Sequence, residues 1–419
     1  MGKFSRGTEK GPLRLCGGGV PDHISSGENQ GELRTNQPRL TLAHPSSGLH
    51  SSQETRLFSA DAITTPSIRQ LAAISRATLN DDVFGEDLST TAFEHHIASI
   101  CEVEAGAFVM SGTMANQLAL AALCHSPPHA ILADASAHVV NFEADGIFHL
   151  TGAMVQPVRP QNGLYLTLED IQKHAKLETD VPIEVCPTKV ISLENTAHGS
   201  VVPLSELRAI KEWASRNGIL VHVDGARIWH AVAAENTSLA SIASCTDAMT
   251  LSFAKGIGAP IGAMIVGSAS IVRRVKRLRQ SIGGGVRKSG VLAAAAREAV
   301  MENFGPGGTD VMGTLQLVHS MAKKVSWMWT RRGGKLLRPT ETNIVWLDLA
   351  AAGTSADVLG GMGVEKGILL AAPRIVLHHQ ISADALASLE HIFDMVLVRD
   401  QTSVKVGSRT VTKGCVQAL

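Results

Sequence analysis

The stretch DAMTLSFAKGIGAPIGAMIVG (residues 247–267) holds one lysine, Lys255, between two apolar runs. Neither run alternates with polar residues, which predicts two strands buried on both faces and joined by a tight connection. Lys255 would then lie, partly buried, at the end of a strand. Because burial lowers the pKa of an amine, a lysine in that position can act as a nucleophile or a base. The alternative is a solvated lysine in a glycine-rich turn.

Apolar runs without alternation recur along the chain, and helical patterns fall between them. The runs are residues 106–110, 130–134, 189–195, 218–224 and 248–254. The helical patterns are residues 113–124, 168–176, 203–217 and 239–244. This order predicts an α/β fold with a parallel sheet that is covered by helices. Ligands of such sheets bind beyond the carboxyl ends of the strands, so the polar residues that end these runs are the candidate site residues.

The composition is that of a globular protein. The 419 residues are 44% hydrophobic, enough for one large or two medium domains with a sizeable core. Lys plus Arg equals Asp plus Glu, 38 each, so no net charge points to nucleic acid or a membrane surface as partner. No apolar stretch reaches the ~20 residues of a membrane span. The six cysteines contain no CxxC pair. We expect reduced cysteines, a cytoplasmic protein and no metal site.

The two ends of the chain differ from its middle. Residues 1–54 are rich in Gly, Ser, Thr, Asn, Gln and Pro and show little periodicity, which predicts a disordered extension. Acidic residues within it argue against an organelle-targeting peptide. Residues 401–419 are predicted to form a tail on the same grounds.

The stretch VMSGTMANQLALAAL (residues 109–123) combines a strand end with a helix start. Ser111, Gly112 and Thr113 place two hydroxyls and a glycine where the free N–H groups of a helix begin. Such a start can hold a phosphate group. The alternative is an ordinary Ser/Thr helix cap.

The stretch LVHVDGARIWHA (residues 220–231) ends a buried strand at Asp224. A buried carboxylate needs a cationic partner. Arg227 could be that partner, and so could the protonated ring nitrogen of a ligand. A phosphate cradle, a strand-end aspartate and then a strand-end lysine is the order expected for pyridoxal 5'-phosphate (PLP) on a parallel sheet. Lys255 would form a Schiff base with its aldehyde, and Asp224 would keep its ring nitrogen protonated.

Three further residues are candidates for the same site. His138, in ASAHVVNFEADG, could stack on the cofactor ring or serve as an acid or base, the alternative being a structural histidine. Arg287, in GGGVRKSG, could reach a phosphate. Arg374, in AAPRIVLHH, could clamp a substrate carboxylate with two hydrogen bonds. For each arginine the alternative is a surface salt bridge.

The chain resembles the L-threonine aldolase family of PLP enzymes between residues 59 and 397. It looks closest to the fungal branch, which includes alanine racemase-like members of peptide natural-product pathways. The matching stretches occur in the same order with similar separations. They are DDVFGED (81–87), SGTMANQLAL (111–120), HGSVVPLSEL (198–207), HVDGARIW (222–229), AKGIGAPIGAMIVGS (254–268), GGGVRKSG (283–290), TNIVWLDL (342–349) and PRIVLHHQIS (373–382).

The resemblance implies the fold, the assembly and the role of each candidate. The fold would be PLP-dependent transferase fold type I, with a large PLP-binding domain at 55–310 and a small α+β C-terminal domain at 311–400. Members are homodimers or homotetramers with sites at the dimer interface. The implied roles are Lys255 for the Schiff base, Asp224 for the ring nitrogen, Arg227 for the ring hydroxyl, Gly112 and Thr113 for the phosphate, His138 for ring stacking, Arg374 for the substrate carboxylate and Arg287 for the neighbouring subunit's cofactor.

Four positions depart from the family pattern. The family's usual Arg-Ser-Asp opening is Ser59-Ala60-Asp61 here, so a substrate-contacting serine is lost. Phe84 replaces a tyrosine, and Ala254 replaces the serine before the lysine. Glu184 stands where the family usually has a histidine that approaches the substrate's β-hydroxyl. A water molecule or Glu184 could take over the role of that histidine, and we expect Glu184 to contact the substrate.

Two reactions on a small amino acid compete for this scaffold. In the first, L-threonine, L-allo-threonine or a related β-hydroxy-α-amino acid is cleaved to glycine and an aldehyde, and most motifs favour this aldolase reaction. In the second, an amino acid such as alanine is racemised to supply a D-residue to a fungal peptide. Lys255 and a group on the opposite face, His138 or Glu184, would then exchange the Cα proton. The departures at positions 60 and 184 fit racemisation better, because that reaction needs no partner for a β-hydroxyl.

Overall fold

The computed structural model describes residues 54–397. The predicted tail at 401–419 lies outside the described residues, and so does the predicted extension at 1–54, except for Glu54. A short 3-10 helix, Glu54–Arg56, opens the described part. The division at residue 310 into a large and a small domain stays a prediction.

The described residues form nine strands and fourteen α-helices. The strands are β1 (Ala105–Val109), β2 (Ala130–Asp134), β3 (Met154–Val158), β4 (Thr188–Glu194), β5 (Leu220–Gly225), β6 (Ala248–Ser252), β7 (Ala263–Gly267), β8 (Ile344–Trp346) and β9 (Arg374–Val376). The helices are α1 (Ile68–Ser75), α2 (Leu88–Ile100), α3 (Gly112–Leu123), α4 (His138–Asn141), α5 (Gly146–Thr151), α6 (Leu168–His174), α7 (Leu204–Arg216), α8 (Ile228–Glu235), α9 (Leu239–Ala243), α10 (Ala269–Ser281), α11 (Gly290–Asn303), α12 (Thr314–Thr330), α13 (Ala356–Glu365) and α14 (Ala383–Leu397).

Seven strands form one sheet in the order β1-β7-β6-β5-β4-β2-β3. The pairs from β3 through β6 are parallel, whereas β7 runs antiparallel to both β1 and β6. The mostly parallel α/β fold is therefore as predicted. The connection between β6 and β7 was predicted to be tight and is not, because it runs through residues 253–262. That longer loop carries Lys255.

Helices cover both faces of this sheet. On one face, Trp229, Phe93 and Phe253 pack in a fully buried cluster. On the other face lies α3, whose alanines Ala115 and Ala119 are fully buried. Because these side chains are small, α3 lies close to the sheet, and its first turn reaches the carboxyl ends of the strands.

The C-terminal part has its own sheet and its own core. Strands β8 and β9 pair antiparallel, and Trp329 packs edge-on against Phe393 between α12 and α14. Phe58 is fully buried in the same cluster. The segment that follows Phe58 is thereby anchored, and it carries Asp61 to the large sheet. In the described part of the chain, no helix is both long enough and apolar enough to cross a bilayer.

Candidate active site

A cavity of about 340 Å³ opens at the carboxyl ends of β5 and β6, beside the start of α3. Six of the residues that the sequence singled out lie on its wall. They are Ser111, Gly112, Thr113, His138, Asp224 and Lys255. They come from four separate elements, so the sheet brings together side chains that are far apart in the sequence.

The start of α3 offers free hydrogen-bond donors to this cavity. Ser111 is the N-cap, and its Oγ accepts from the N–H of Met114 at 3.1 Å. Among residues 54–397, no acceptor contacts the N–H groups of Gly112 and Thr113. A Cβ placed on Gly112 would meet no atom within 4 Å. The positive end of the helix dipole therefore faces open space, which suits an anion.

Asp224 is buried, with 3% of its surface exposed, and it is held by neutral donors. Its Oδ2 accepts from Asn116 Nδ2 at 2.8 Å, and its Oδ1 accepts from the N–H of Ala226 at 2.9 Å. No lysine or arginine of residues 54–397 forms a salt bridge with it. Of the two cationic partners considered for Asp224, the structure therefore excludes Arg227 and leaves a ligand cation.

Arg227 pairs with Asp61 instead. Its Nε and a terminal nitrogen donate to the two carboxylate oxygens of Asp61 at 2.8 and 2.7 Å. Asp61 accepts a third hydrogen bond, from Asn343 Nδ2 to its Oδ2 at 3.0 Å. Burial alone would raise the pKa of Asp61, but the charge and hydrogen bonds of Arg227 outweigh it and hold that pKa well below its usual range. The guanidinium is thereby fixed in one orientation.

Lys255 is half-buried, and the loop around it is tightly packed. Gly256 and Gly258 follow it with φ of +71° and +79°, in the left-handed region. A Cβ on Gly256 would lie 2.7 Å from His230 Nε2, and one on Gly258 would lie 2.8 Å from His379. Only glycine fits at either position, so the backbone after Lys255 is fixed by its neighbours.

His138 is half-buried on the cavity wall and carries two carboxylate contacts. Its Nδ1 lies 2.9 Å from Glu143 Oε1, and its backbone N–H donates to Glu194 Oε2 at 2.9 Å. The hydrogen bond with Glu143 raises the pKa of His138, against a smaller lowering by burial. Burial and the charge of Asp224 raise the pKa of Glu194 to about 7.

Four predicted residues do not line this cavity: Arg227, described above, and Arg374, Arg287 and Glu184. Arg374 is half-buried and donates to the backbone oxygen of Ser59 at 3.3 Å. Burial lowers the pKa of Arg374, and the positive charge of the nearby Arg227 lowers it further. Arg287 is 65% exposed and pairs with Asp81. Glu184 is exposed in the loop before β4, at the end of the strand opposite the cavity. A seven-residue strand separates those ends by about 20 Å.

The departures from the family pattern occupy different surroundings. Ala254 lines the cavity, where a serine would add a hydroxyl. Ala60 is half-buried and does not line it. Phe84 is 73% exposed.

Sequence reasoning missed four buried or half-buried residues that contact the predicted ones, namely Asp61, Asn116, Glu143 and Glu194. Asn116 lies four residues after Gly112, on the next turn of α3, so helical spacing could have found it. Glu194 is the last residue of β4 and the second-to-last residue of the predicted run 189–195. No local signal marks Glu143 as the partner of His138.

The residues present fit PLP. The cavity joins free N–H donors for a phosphate, a buried carboxylate without a protein cation for the ring nitrogen, and an amine that forms no salt bridge with residues 54–397. A simple anion such as phosphate would need only the free N–H donors and would leave the carboxylate and the amine without a role. The combination therefore favours a ligand that has an anionic group at one end and a basic ring nitrogen at the other.

Comparisons with known proteins agree with this site. The family model of the beta-eliminating lyases matches residues 58–352, so the chain belongs to that family. The chain is 47% identical over 352 residues to alanine racemase TOXG of Cochliobolus carbonum, covering 84% of this chain and 90% of the relative. It is 40% identical to the low-specificity L-threonine aldolase of Eremothecium gossypii, over 80% and 85% of the two chains. The solved structure of Leishmania major threonine aldolase superposes with a TM-score of 0.66 at 19% identity, over 81% and 99%.

The predicted resemblance to L-threonine aldolases, fold type I and the use of PLP are thereby confirmed. The chain is a PLP-dependent enzyme.

Proposed function

We propose that this member of the beta-eliminating lyase family cleaves the Cα–Cβ bond of a β-hydroxy-α-amino acid. L-Threonine or L-allo-threonine would give glycine and acetaldehyde. The observation that carries the proposal is the meeting of Lys255, Asp224 and the start of α3 at one cavity. It is supported by the 40% identity to the Eremothecium gossypii protein named low-specificity L-threonine aldolase.

The cofactor would be held by residues of three elements. Lys255 would bind its aldehyde carbon, and Asp224 would accept a hydrogen bond from its ring nitrogen. The N–H groups of Gly112 and Thr113 would hold the phosphate, together with the hydroxyls of Ser111 and Thr113. PLP bound in this way supplies an electron sink for the electrons of the broken bond. The carboxylate of Asp224 keeps the ring nitrogen protonated, which that chemistry requires.

The substrate would be oriented by Arg374. Its guanidinium can grip a carboxylate with two parallel hydrogen bonds. By holding the carboxylate in one orientation, Arg374 would select between Cα–Cβ and Cα–H cleavage. Arg227, whose guanidinium is fixed by Asp61, would contact the ring hydroxyl of the cofactor.

Cleavage also requires removal of the β-hydroxyl proton. The sequence predicted that Glu184 contacts the substrate here. Within its own chain, however, Glu184 precedes β4 and lies at the end of that strand away from the cavity. We propose that a water molecule in the cavity takes this proton.

Racemisation of a small amino acid such as alanine is the second candidate function. It is favoured by the 47% identity to the protein named alanine racemase TOXG. It is also favoured by the position of Glu184, because racemisation breaks Cα–H and needs no acceptor for a hydroxyl proton. Lys255 would take the proton from one face of Cα, and His138 would return one to the other face.

We further propose a homodimer or homotetramer located in the cytoplasm. Large apolar side chains lie exposed in segments close to the site, including Phe84, Phe142 and Phe148 at 73, 67 and 65% exposure. A second copy would cover them, and it would bring Arg287 toward the neighbouring cofactor. The free thiols of Cys101, Cys124, Cys186 and Cys245 fit a reducing compartment.

A paired assay on one PLP-loaded preparation tests the function, with Lys255→Ala as the blank. One sample contains L-threonine or L-allo-threonine and is analysed for acetaldehyde and glycine. The other contains L-alanine in D₂O and is analysed for D-alanine and for deuterium at Cα. Acetaldehyde without D-alanine supports the aldolase. D-Alanine with little acetaldehyde contradicts the aldolase proposal and supports the racemase.

A further inference from the structure

Four side chains at the cavity form one continuous hydrogen-bonded chain. His138 Nδ1 contacts Glu143 Oε1 at 2.9 Å. Asn116 Nδ2 donates to the same Glu143 oxygen at 2.9 Å and to Asp224 Oδ2 at 2.8 Å. One amide group thus bridges two carboxylates. Polar atoms of His138, Glu143 and Asp224 lie within 4.8 Å of one another.

The bridging amide is itself fixed in orientation. The hydroxyl of Thr250, on β6, donates to Asn116 Oδ1 at 2.8 Å. Because Oδ1 is the acceptor there, Nδ2 with its two hydrogens must face the carboxylates. Gln117 Nε2 donates to the backbone oxygen of Glu143 at 3.2 Å, which ties the segment of His138 to α3. The chain of contacts is therefore anchored in the sheet and in a buried helix.

Within this series of hydrogen-bonded side chains, the two carboxylates have no positive counterpart except His138. Only 1% of the Glu143 side chain is exposed, and Asp224 is buried as well. Among residues 54–397, neither carboxylate forms a salt bridge with a lysine or arginine. An unpaired buried carboxylate is costly. Asp224 would find its cation in the ring nitrogen of PLP, and Glu143 has His138.

The other charged groups that face His138 come from three elements. Glu194 of β4 accepts its backbone N–H, and the carboxylate of Asp224 on β5 also favours a positive ring. Lys255, in the loop after β6, opposes it. The hydrogen bond and charge of Glu143, together with the charge of Asp224, outweigh Lys255 and leave the imidazolium as the favoured form.

We propose that Glu143 and Asn116 are positioning residues of this site: Glu143 orients the ring of His138 and keeps it an imidazolium, and Asn116 ties that pair to Asp224. The inference rests on the proposed function, because it concerns the same cavity. Its consequence is that His138 acts as the proton donor to Cα in the forward direction of either reaction. In both proposed reactions Cα gains a proton, which comes from His138 Nε2 and leaves the neutral imidazole bonded to Glu143.

The test is an NMR titration of the holoenzyme labelled with ¹³C at the histidine ring, in which His138→Asn identifies the signal of His138. In the wild type, His138 should titrate above the usual value of about 6.5. In Glu143→Gln the midpoint should fall by about one pH unit, because the neutral amide no longer favours the charged ring. Glu94→Gln is the matched control, since Glu94 is also a buried carboxylate but contacts Lys276 and the N–H of Phe108. It should leave the midpoint of His138 unchanged.

Two further variants keep the test decisive. Glu143→Asp retains the charge and should titrate above Glu143→Gln. Asn116→Ala leaves the carboxylate in place, so it should not lower the midpoint, but it should weaken retention of PLP, measured by dialysis and absorbance. A wild-type midpoint below about 6.5, or equal midpoints in wild type and Glu143→Gln, would overturn the inference. Failure of the proposed function has a different signature: no product in the paired assay, whatever the titration shows.

Discussion

The proposed cofactor side of the cavity and the proposed substrate side beside it are built in different ways. The cofactor side consists of strand ends and one helix start, where Asp224, Lys255 and Gly112 each follow a buried run. The proposed substrate side consists of Asp61 and Arg374, which do not line the cavity wall, come from opposite ends of the described chain and meet near Arg227. The first side is fixed by the sheet itself. The second exists only when the segment after Phe58 packs against the C-terminal core.

The largest effect is expected on the cofactor side, from Lys255→Ala. It should lower kcat at least about 10³-fold, because no other amine lines the cavity on the part of the chain that is described. Absorbance near ~420 nm should also be lost. Lys366→Ala, at an exposed position, is the control and should behave as the wild type. Activity retained in Lys255→Ala would show that Lys255 does not bind the cofactor.

The junction of the two sides should depend on Asp61. Asp61→Asn leaves the guanidinium of Arg227 buried without its carboxylate, so the free energy of unfolding should fall by about 3 kcal/mol at pH 7. Because the folded-state pKa of Asp61 is lowered, its stabilisation is present above about pH 4 and is lost as the pH falls below that value.

Urea unfolding at pH 7 and at lower pH measures this difference. Asp394→Asn is the control: Asp394 pairs with Arg332 at the surface with 47% exposure, so it should cost at most about 1 kcal/mol. Equal losses in the two variants would mean that the Asp61–Arg227 pair does not hold the sides together.

On the substrate side, Arg374→Lys should raise KM for the amino acid by roughly 10- to 100-fold. A lysine keeps the charge but cannot grip a carboxylate with two parallel hydrogen bonds. Retention of PLP should not change. Arg216→Lys, a 67% exposed position, serves as control in steady-state kinetics. An unchanged KM would place the substrate carboxylate elsewhere.

The smallest effect is expected from Glu184→Gln. Because Glu184 lies beyond the amino end of β4, we expect kcat/KM to change by less than about twofold, which is within ordinary surface effects. A loss of tenfold or more would show that a second chain brings Glu184 to the cavity, and the substrate side would then be shared between subunits.

The sequence predicted most of the sheet, because its buried strands read as continuous apolar runs. Strand β3 escaped, since MVQPV contains a proline and a glutamine and is half-exposed at the sheet edge. The connection after β6 was expected to be tight, yet it is long enough to present Lys255. These differences arise where burial is partial and local patterns weaken.

The cofactor side was predictable for the same reason, and its supporting contacts were not. Asn116 and Asp224 are 108 residues apart, and Arg227 and Asp61 are 166 apart. No spacing rule connects such pairs, because packing of the whole sheet decides which polar groups meet. Arg227 was considered as a partner for Asp224 because the two are near in sequence, and the structure instead turns its guanidinium toward Asp61.

The most direct test of the account is to map the cofactor onto the chain. The PLP-loaded enzyme is treated with borohydride, which reduces and locks the bond between PLP and lysine, digested, and analysed by mass spectrometry. The account predicts that the added mass lies on the peptide that contains Lys255, and that Lys255→Ala carries none. The same mass on a different lysine, or no mass on any lysine of an enzyme that is active with PLP, would contradict it.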